Sequence, residues 1–184
     1  MLAKLFKVFV RPKLEYAAQA WSPWLEKDCE LLENVQKRCV KMMSDVQGET
    51  YEETLKDAGL QLLKERRERG DAIETYKVLR GIEKVEIGNW FERVEPQRRT
   101  RQNTEMGEEG EEVVKDMLKA QKSRINEKRY YFQSRVVDAW NGLPAATQQA
   151  PSLNSFKSRY DKYMRDSRRT RGETEESRDE QEES

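Results

Sequence analysis

The 184-residue chain contains no histidine, which removes the commonest general base, metal ligand and physiological pH switch together. Histidine-based triads and zinc sites are therefore excluded. Only two cysteines occur, Cys29 and Cys39, and both fall in one helical pattern whose rise of about 1.5 Å per residue sets them roughly 15 Å apart. An internal disulfide needs Cα atoms within about 7 Å, so free thiols and a reducing compartment are expected. No two aspartates are adjacent. Two-metal phosphoryl transfer gathers carboxylates around ions about 4 Å apart, and the scattered Asp28, Asp57, Asp71 and Asp138 offer no such pair. No apolar run approaches the ~20 residues of a membrane span, and Lys4, Lys7 and Arg11 interrupt the apolar N-terminus where a secretory signal needs an unbroken stretch. A glycine-rich phosphate loop is missing too. The expectation is an intracellular protein, nuclear or cytoplasmic and not secreted, with no cofactor and no metal.

What is abundant is charge. Charged residues make up 38% of the chain and hydrophobic ones 35%, so one modest core under a heavily ionised surface is expected. Lys+Arg and Asp+Glu are 35 each, but the balance hides local asymmetry. Lys115 to Arg135 holds seven basic and two acidic residues, Glu105 to Glu112 is purely acidic, and Glu173 to Ser184 sets seven acids against Arg178. Local charge, rather than the total, carries the information about partners.

Hydrophobic periodicity is helical throughout. Leu2, Leu5, Phe6 and Phe9 share a face, and Pro12 suits the first turn of a helix carrying Leu14, Ala17, Ala18 and Trp21. That makes two short helices or one kinked helix, ended by Ser22-Pro23. A helix from about Trp24 to Met43 presents Leu25, Cys29, Leu32, Val35, Cys39 and Met43 as its buried stripe. Thr50 with Glu53 forms a capping box opening a two-turn helix stopped by Gly59. The next helix, about Leu60 to Arg80, ends at Gly81, and Gly70 on it implies a closely approaching neighbour. From Glu83 to Val114 the pattern degrades into a mobile loop. Order returns with Tyr130, Tyr131, Phe132, Val136, Trp140 and Leu143 on one face, then with a helix started by Ser152 that carries Leu153, Phe156, Tyr160 and Tyr163. Residues after about Arg165 lack apolar side chains and are expected to be disordered. The fold class is all-α, a small irregular bundle: a helical region 1–82, a charged loop or linker 83–114, a helical region 115–165 and a disordered charged tail 166–184.

A nucleic-acid surface is the one binding chemistry these residues suggest. Arg98, Arg99 and Arg101, then Lys128, Arg129 and Arg135 with Lys119, Lys122 and Arg124 in the same run, lie beside Tyr130 and Tyr131, combining cations for phosphates with rings for bases. The competing reading is a solvated helix face. Trp21, Trp24 and Trp140 offer an alternative set of base-stacking platforms, but each falls on or beside an apolar stripe and reads as core. The adjacent glutamates Glu52-Glu53, Glu108-Glu109 and Glu111-Glu112 diverge by about 100° on a helix and form no acid–base pair.

Val136-Val137-Asp138-Ala139-Trp140-Asn141-Gly142-Leu143-Pro144 followed by Ala150-Pro151-Ser152-Leu153-Asn154-Ser155-Phe156-Lys157 resembles the C-terminal end of reverse transcriptases from non-LTR retrotransposons of the LINE type, jockey-like elements in particular. Val10-Arg11-Pro12-Lys13-Leu14-Glu15-Tyr16, Ala20-Trp21-Ser22-Pro23, Leu31-Leu32-Glu33-Asn34-Val35-Gln36-Lys37-Arg38, Tyr51-Glu52-Glu53, Arg69-Gly70-Asp71 and Arg98-Arg99-Thr100-Arg101 stand in the family's order, so the resemblance covers roughly residues 4 to 165. Departures are Lys13 where histidine is frequent, Gln102 where glycine commonly follows Thr-Arg, and acids at 105–112 where relatives are basic or apolar. The resemblance implies the thumb and post-thumb helices of an RNA-directed DNA polymerase, without the palm and its paired aspartates, and so a non-catalytic fragment whose parent grips the template–primer duplex. Met1 stands where that parent would already be under way, which makes a truncated, degenerate reading frame the expectation. The partners implied are nucleic acid, held weakly through its backbone, and the missing palm domain or another protein, with no membrane involved. The alternative is an independent helical protein–protein interaction module. Under the fragment reading, Leu2, Leu5, Phe6 and Phe9 should be the least covered apolar residues.

Overall fold

A computed structural model describes residues 2–43, 48–94, 104–106, 112–120 and 130–182. The elements are α1 (Leu2–Leu5), a π-helical turn (Phe6–Val10), α2 (Arg11–Glu15), α3 (Ala18–Trp21), α4 (Glu26–Lys41), α5 (Tyr51–Asp57), α6 (Leu63–Leu79), a 3-10 turn (Ile87–Asn89), β1 (Thr104–Met106), β2 (Glu112–Val114), α7 (Phe132–Asn141), α8 (Ala145–Gln148) and α9 (Leu153–Glu182). The class is all-α, as the periodicity implied. Two compact units divide the chain: Met1–Ala72 with Ser123–Arg135, and Ile73–Lys122 with Val136–Ser184.

In the first unit, α1, the π-turn and α2 run on without a break, so the N-terminal segment is one helical run. The π-turn sits just before Pro12, whose ring lacks an N–H and presses on the carbonyl four residues back; widening the helix there relieves both problems. Phe6, Val40, Met43, Leu55 and Leu60 form the core, with Ala3, Val10, Leu14, Cys39, Tyr51 and Leu62 packed against it. The capping box is present with both of its bonds: the Thr50 side chain accepts from the Glu53 N–H, and the Glu53 carboxylate accepts from the Thr50 N–H. Gly59 takes φ +62°, the left-handed conformation that ends α5, and Gly81 takes φ +66° after α6, where a side chain would be strained.

The buried stripe expected on α4 is displaced. Val35 is exposed, Cys29 and Cys39 are half-buried, and Gln36 is fully buried. Hydrogen bonds draw Gln36 inward: its Nε2 donates to the Gln61 carbonyl at 3.0 Å, to Glu33 Oε1 at 3.0 Å and to the Tyr51 hydroxyl at 3.3 Å. Glu33 in turn accepts from the Tyr51 hydroxyl at 2.7 Å and from the Leu63 N–H at 3.0 Å, capping α6. Burial and the Glu33 hydrogen bond push the Tyr51 phenol well above its ordinary range. A polar network therefore fixes which face of α4 points inward, and hydrophobic counting missed it. Gly70 also differs from expectation, since a Cβ there would meet only Gln19 Nε2 at an ordinary 3.7 Å.

In the second unit, the segment expected to be a mobile loop contains structure. β1 and β2 pair antiparallel, Thr104 opposite Val114, Glu105 opposite Val113 and Met106 opposite Glu112. Arg93 and Leu118 form a further bridge. Side chains of α7 and α8 hold the strand that continues from β2. The Trp140 indole donates to the Asp116 carbonyl at 2.7 Å, and Asn141 both accepts from the Leu118 N–H at 2.8 Å and donates to its carbonyl at 2.9 Å. Gln148 accepts from the Asp116 N–H at 2.9 Å and donates to the Trp140 carbonyl at 2.8 Å. Three-residue strands are too short to show alternation in sequence, and the segment after β2 is held by side chains distant in the chain, so neither signal was legible beforehand. The aromatic core stacks Tyr76 on Phe156 at 4.4 Å, with Trp140 at 5.9 Å and Tyr160 at 6.0 Å from the same ring.

Ser152 caps α9 as expected, its Oγ accepting from the Ser155 N–H at 3.2 Å. The helix is continuous to Glu182. Lack of apolar residues removes a reason to pack but not a reason to coil. The stretch has no proline, one glycine (Gly172), and cations four residues before acids at Arg169 and Glu173, Arg171 and Glu175, and Arg178 and Glu182, a spacing that favours helix.

Candidate nucleic-acid interface

Of the basic residues expected to contact phosphate, Arg98, Arg99, Arg101, Lys128 and Arg129 lie outside the described residues, as do Lys122 and Arg124. Lys119 is ion-paired with Glu92. Arg135 is placed in the first turns of α7, and its guanidinium is engaged on every side. Nε donates to Asp71 Oδ2 at 2.8 Å and Nη2 to Asp71 Oδ1 at 3.0 Å, a two-pronged ion pair. Nη2 also reaches the carbonyls of Ala18 at 3.3 Å and Gln19 at 3.2 Å, while Nη1 donates to the Tyr130 carbonyl at 3.1 Å. The Phe132 ring lies 5.8 Å from the guanidinium carbon. Arg135 thus joins α6, α3 and the start of α7 within the first unit.

The pair is mostly withdrawn from solvent, with side-chain exposures of 18% for Arg135 and 10% for Asp71. Burial pushes the Asp71 carboxyl up from its ordinary value, against the pull of the Arg135 hydrogen bonds and charge and of the Arg67 charge. Arg67, one turn before Asp71 on α6, is itself buried, and its Nη1 has no hydrogen-bond acceptor. Glu68 on α6 feels the charges of both Arg67 and Asp71, so two guanidiniums and two carboxyl groups meet at this joint.

Next to the Arg135 contact with the Tyr130 carbonyl lies an aromatic pair. Trp24 and Tyr130 stack with centroids 4.4 Å apart and planes 12° from parallel, yet Trp24 is 49% exposed and Tyr130 37%. Trp21 and Tyr131 are exposed as well, and Tyr16 is 79% exposed. Of the three tryptophans expected in the core, only Trp140 is buried. Trp21 and Trp24 flank Ser22-Pro23, where the chain leaves the helix, so their helical phase no longer points inward. The Trp21 indole donates to the Tyr16 carbonyl, and Ala17 adopts φ +49°, the one left-handed residue other than glycine among the described residues. An alanine held there is strained by roughly 1–2 kcal/mol, so the surrounding contacts impose this backbone reversal.

The residues that carry the family resemblance sit at structural joints. Trp140 and Asn141 hold the strand after β2, Glu33, Gln36 and Tyr51 form the polar network, Asp71 holds Arg135, and Glu15 pairs through both oxygens with Arg66. Among the described residues no three Cys, Asp or Glu side chains are placed to share a metal ion, and no helix is long and apolar enough to cross a membrane. No family model, curated protein or solved structure matches the chain.

Proposed function

We propose that the chain is the helical thumb and post-thumb region of a non-LTR retrotransposon reverse transcriptase, catalysing no synthesis itself and retaining weak, backbone-directed affinity for a template–primer duplex in the nucleus or cytoplasm. The observation that carries this reading is the ordered set of motifs from Arg11-Pro12 to Phe156-Lys157. Support comes from the joints those motifs make, because a chain that keeps Trp140, Asn141, Gln36 and Asp71 in bonded positions keeps the means to hold its helices. The proposed grip uses Arg98, Arg99, Arg101, Lys128 and Arg129, while Arg135 orders the scaffold of the first unit.

Primer extension with the purified protein, Mg²⁺ and a primed RNA template should give no incorporation, and robust synthesis would overturn the reading. Affinity for an RNA–DNA hybrid should be insensitive to sequence, and each phosphate neutralised should steepen the log–log salt dependence by about 0.9 on the duplex DNA scale. Deleting 173–184 should strengthen binding, because that segment's acids compete for the same cations; no binding at low salt would sink the duplex grip. The DNA upstream of Met1 provides the separate test of origin, where a palm-coding sequence supports the fragment. A second reading, an independent helical interaction module, is favoured by one observation: Leu2, Leu5, Val8 and Phe9 are exposed together along the N-terminal helical run.

A further inference from the structure

We propose that the chain self-associates through α9, two copies pairing antiparallel about a two-fold axis at Gly172. A sign inversion in the sequence carries this. Counted outward from Gly172, Arg171 is matched by Glu173, Arg169 by Glu175, Arg168 by Glu176, Asp166 by Arg178, Arg165 by Asp179 and Lys162 by Glu182. Asp166, the one acid between Lys162 and Arg171, thus falls opposite Arg178, the one base between Glu173 and Glu182. A basic block followed by an acidic one would not make that exchange, and cations four residues before acids along a single helix need no such mirror. The next pair outward, Asp161 and Glu183, is like-charged and marks the end of the match.

The helix turns this order into a surface. α9 runs unbroken from Leu153 to Glu182; its last buried residue among those described is Tyr160, and every residue from Arg165 to Thr170 is exposed. Positions 162, 165, 169, 172, 176, 179 and 182 recur at steps of three or four and so share one face. Gly172 stands at its midpoint, where the lack of a side chain permits close approach of a second backbone. Pairing about a two-fold axis makes a patch meet itself, so residue i meets j wherever j meets i. Charge satisfies that requirement only if the pattern changes sign across the axis. Parallel copies would instead set Arg against Arg and Glu against Glu and align the helix dipoles unfavourably. The occupant is therefore a second copy of this chain, since the uniform negative charge of a nucleic acid would be repelled by the acidic half.

Sedimentation velocity of the full chain, without nucleic acid, provides the test. The parent should be a dimer at low salt and a monomer at about 1 M salt, where the screening length is about 3 Å. Arg168→Glu with Arg169→Glu should weaken the dimer about tenfold or more, and so should Glu175→Arg with Glu176→Arg, because each sets several like charges together across the pair. Mixing these two variants should restore the dimer, and the chain carrying all four changes should dimerise by itself, which a parallel pair would not. Gly172→Glu separates pairing from helix stability: circular dichroism should show the helix kept or strengthened, because Gly is the weaker helix former, while two glutamates meeting on the axis weaken the dimer about tenfold. A parent that stays monomeric at low salt would overturn the proposal, as would undiminished dimerisation of either double variant or a mixture that stays monomeric. No nucleic acid enters these measurements, so their failure leaves the duplex grip standing.

Discussion

Arg135 and Asp71 show how one substitution reaches several elements. Removing Asp71 leaves the Arg135 guanidinium, mostly withdrawn from solvent, without its carboxylate partner, and breaking a buried pair in this way costs roughly 3–5 kcal/mol. Asp71→Ala should therefore lower the urea midpoint sharply, and Arg135→Lys should lower it less, because lysine keeps the charge but cannot span Asp71, Tyr130 and Ala18 together. A change below about 1 kcal/mol for Asp71→Ala would show that the pair is a surface contact after all. Asn141 is the equivalent residue in the second unit. Asn141→Ala strips both backbone partners from Leu118, and each buried group left unpaired costs about 1–3 kcal/mol. Faster hydrogen exchange at the Leu118 amide, ahead of any global unfolding, is the expected signature.

At the level of elements, the β1–β2 hairpin depends on ionisation. Glu105 accepts from the Ala145 N–H at 2.7 Å and pairs with Lys115. Burial alone would raise its carboxyl, but the Lys115 and Ala145 hydrogen bonds outweigh it and hold the group below its ordinary value. A carboxyl lowered in the folded state contributes stability that is present above the ordinary carboxylate range and is lost as pH falls through the folded value. Acid should therefore loosen the hairpin from the start of α8, measurable as Ala145 amide exchange rising on acidification. Glu105→Gln should flatten that dependence; an unchanged profile in the variant would mean another group governs it. The hairpin also shows what sequence patterning misses. Thr50-x-x-Glu53 and Gly59 were legible because caps and left-handed turns act within a few residues, whereas three-residue strands docked by Asn141, Gln148 and Glu105 act across the chain.

For the molecule as a whole, the N-terminal helical run divides in two. Phe6 is 3% exposed and belongs to the core, whereas Phe9 is 64% exposed. Leu2, Leu5 and Phe9 are exposed with Val8, but Phe6 is not, and Leu31 at 66% and Met42 at 65% are less covered than any of them, so the N-terminal run is not the least covered apolar surface. Replacing Val8 and Phe9 by Ser should reduce the fluorescence of a dye that binds apolar surface while barely moving the thermal midpoint. Phe6→Ala should instead cost about 3–5 kcal/mol by opening a cavity. If dye binding persists in the Val8/Phe9 variant, the apolar surface lies elsewhere and the exposed face has no special role.

Helical class, the capping box, the glycine terminators, the Phe132, Val136 and Trp140 face of α7 and the Ser152 start all followed from the sequence alone, because each depends on spacing within one or two helical turns. Tyr130 and Tyr131, expected on the same face, precede the helix and are exposed. The tertiary structure decided which face of α4 is buried, which tryptophans leave the core, and that Arg135 is a joint. Those outcomes turn on hydrogen bonds between residues far apart in the chain, Gln36 with Gln61, Arg135 with Asp71 and Ala18, and Asn141 with Leu118. Local periodicity carries no record of such partners, since a buried polar group finds its place only when the distant group that satisfies it arrives.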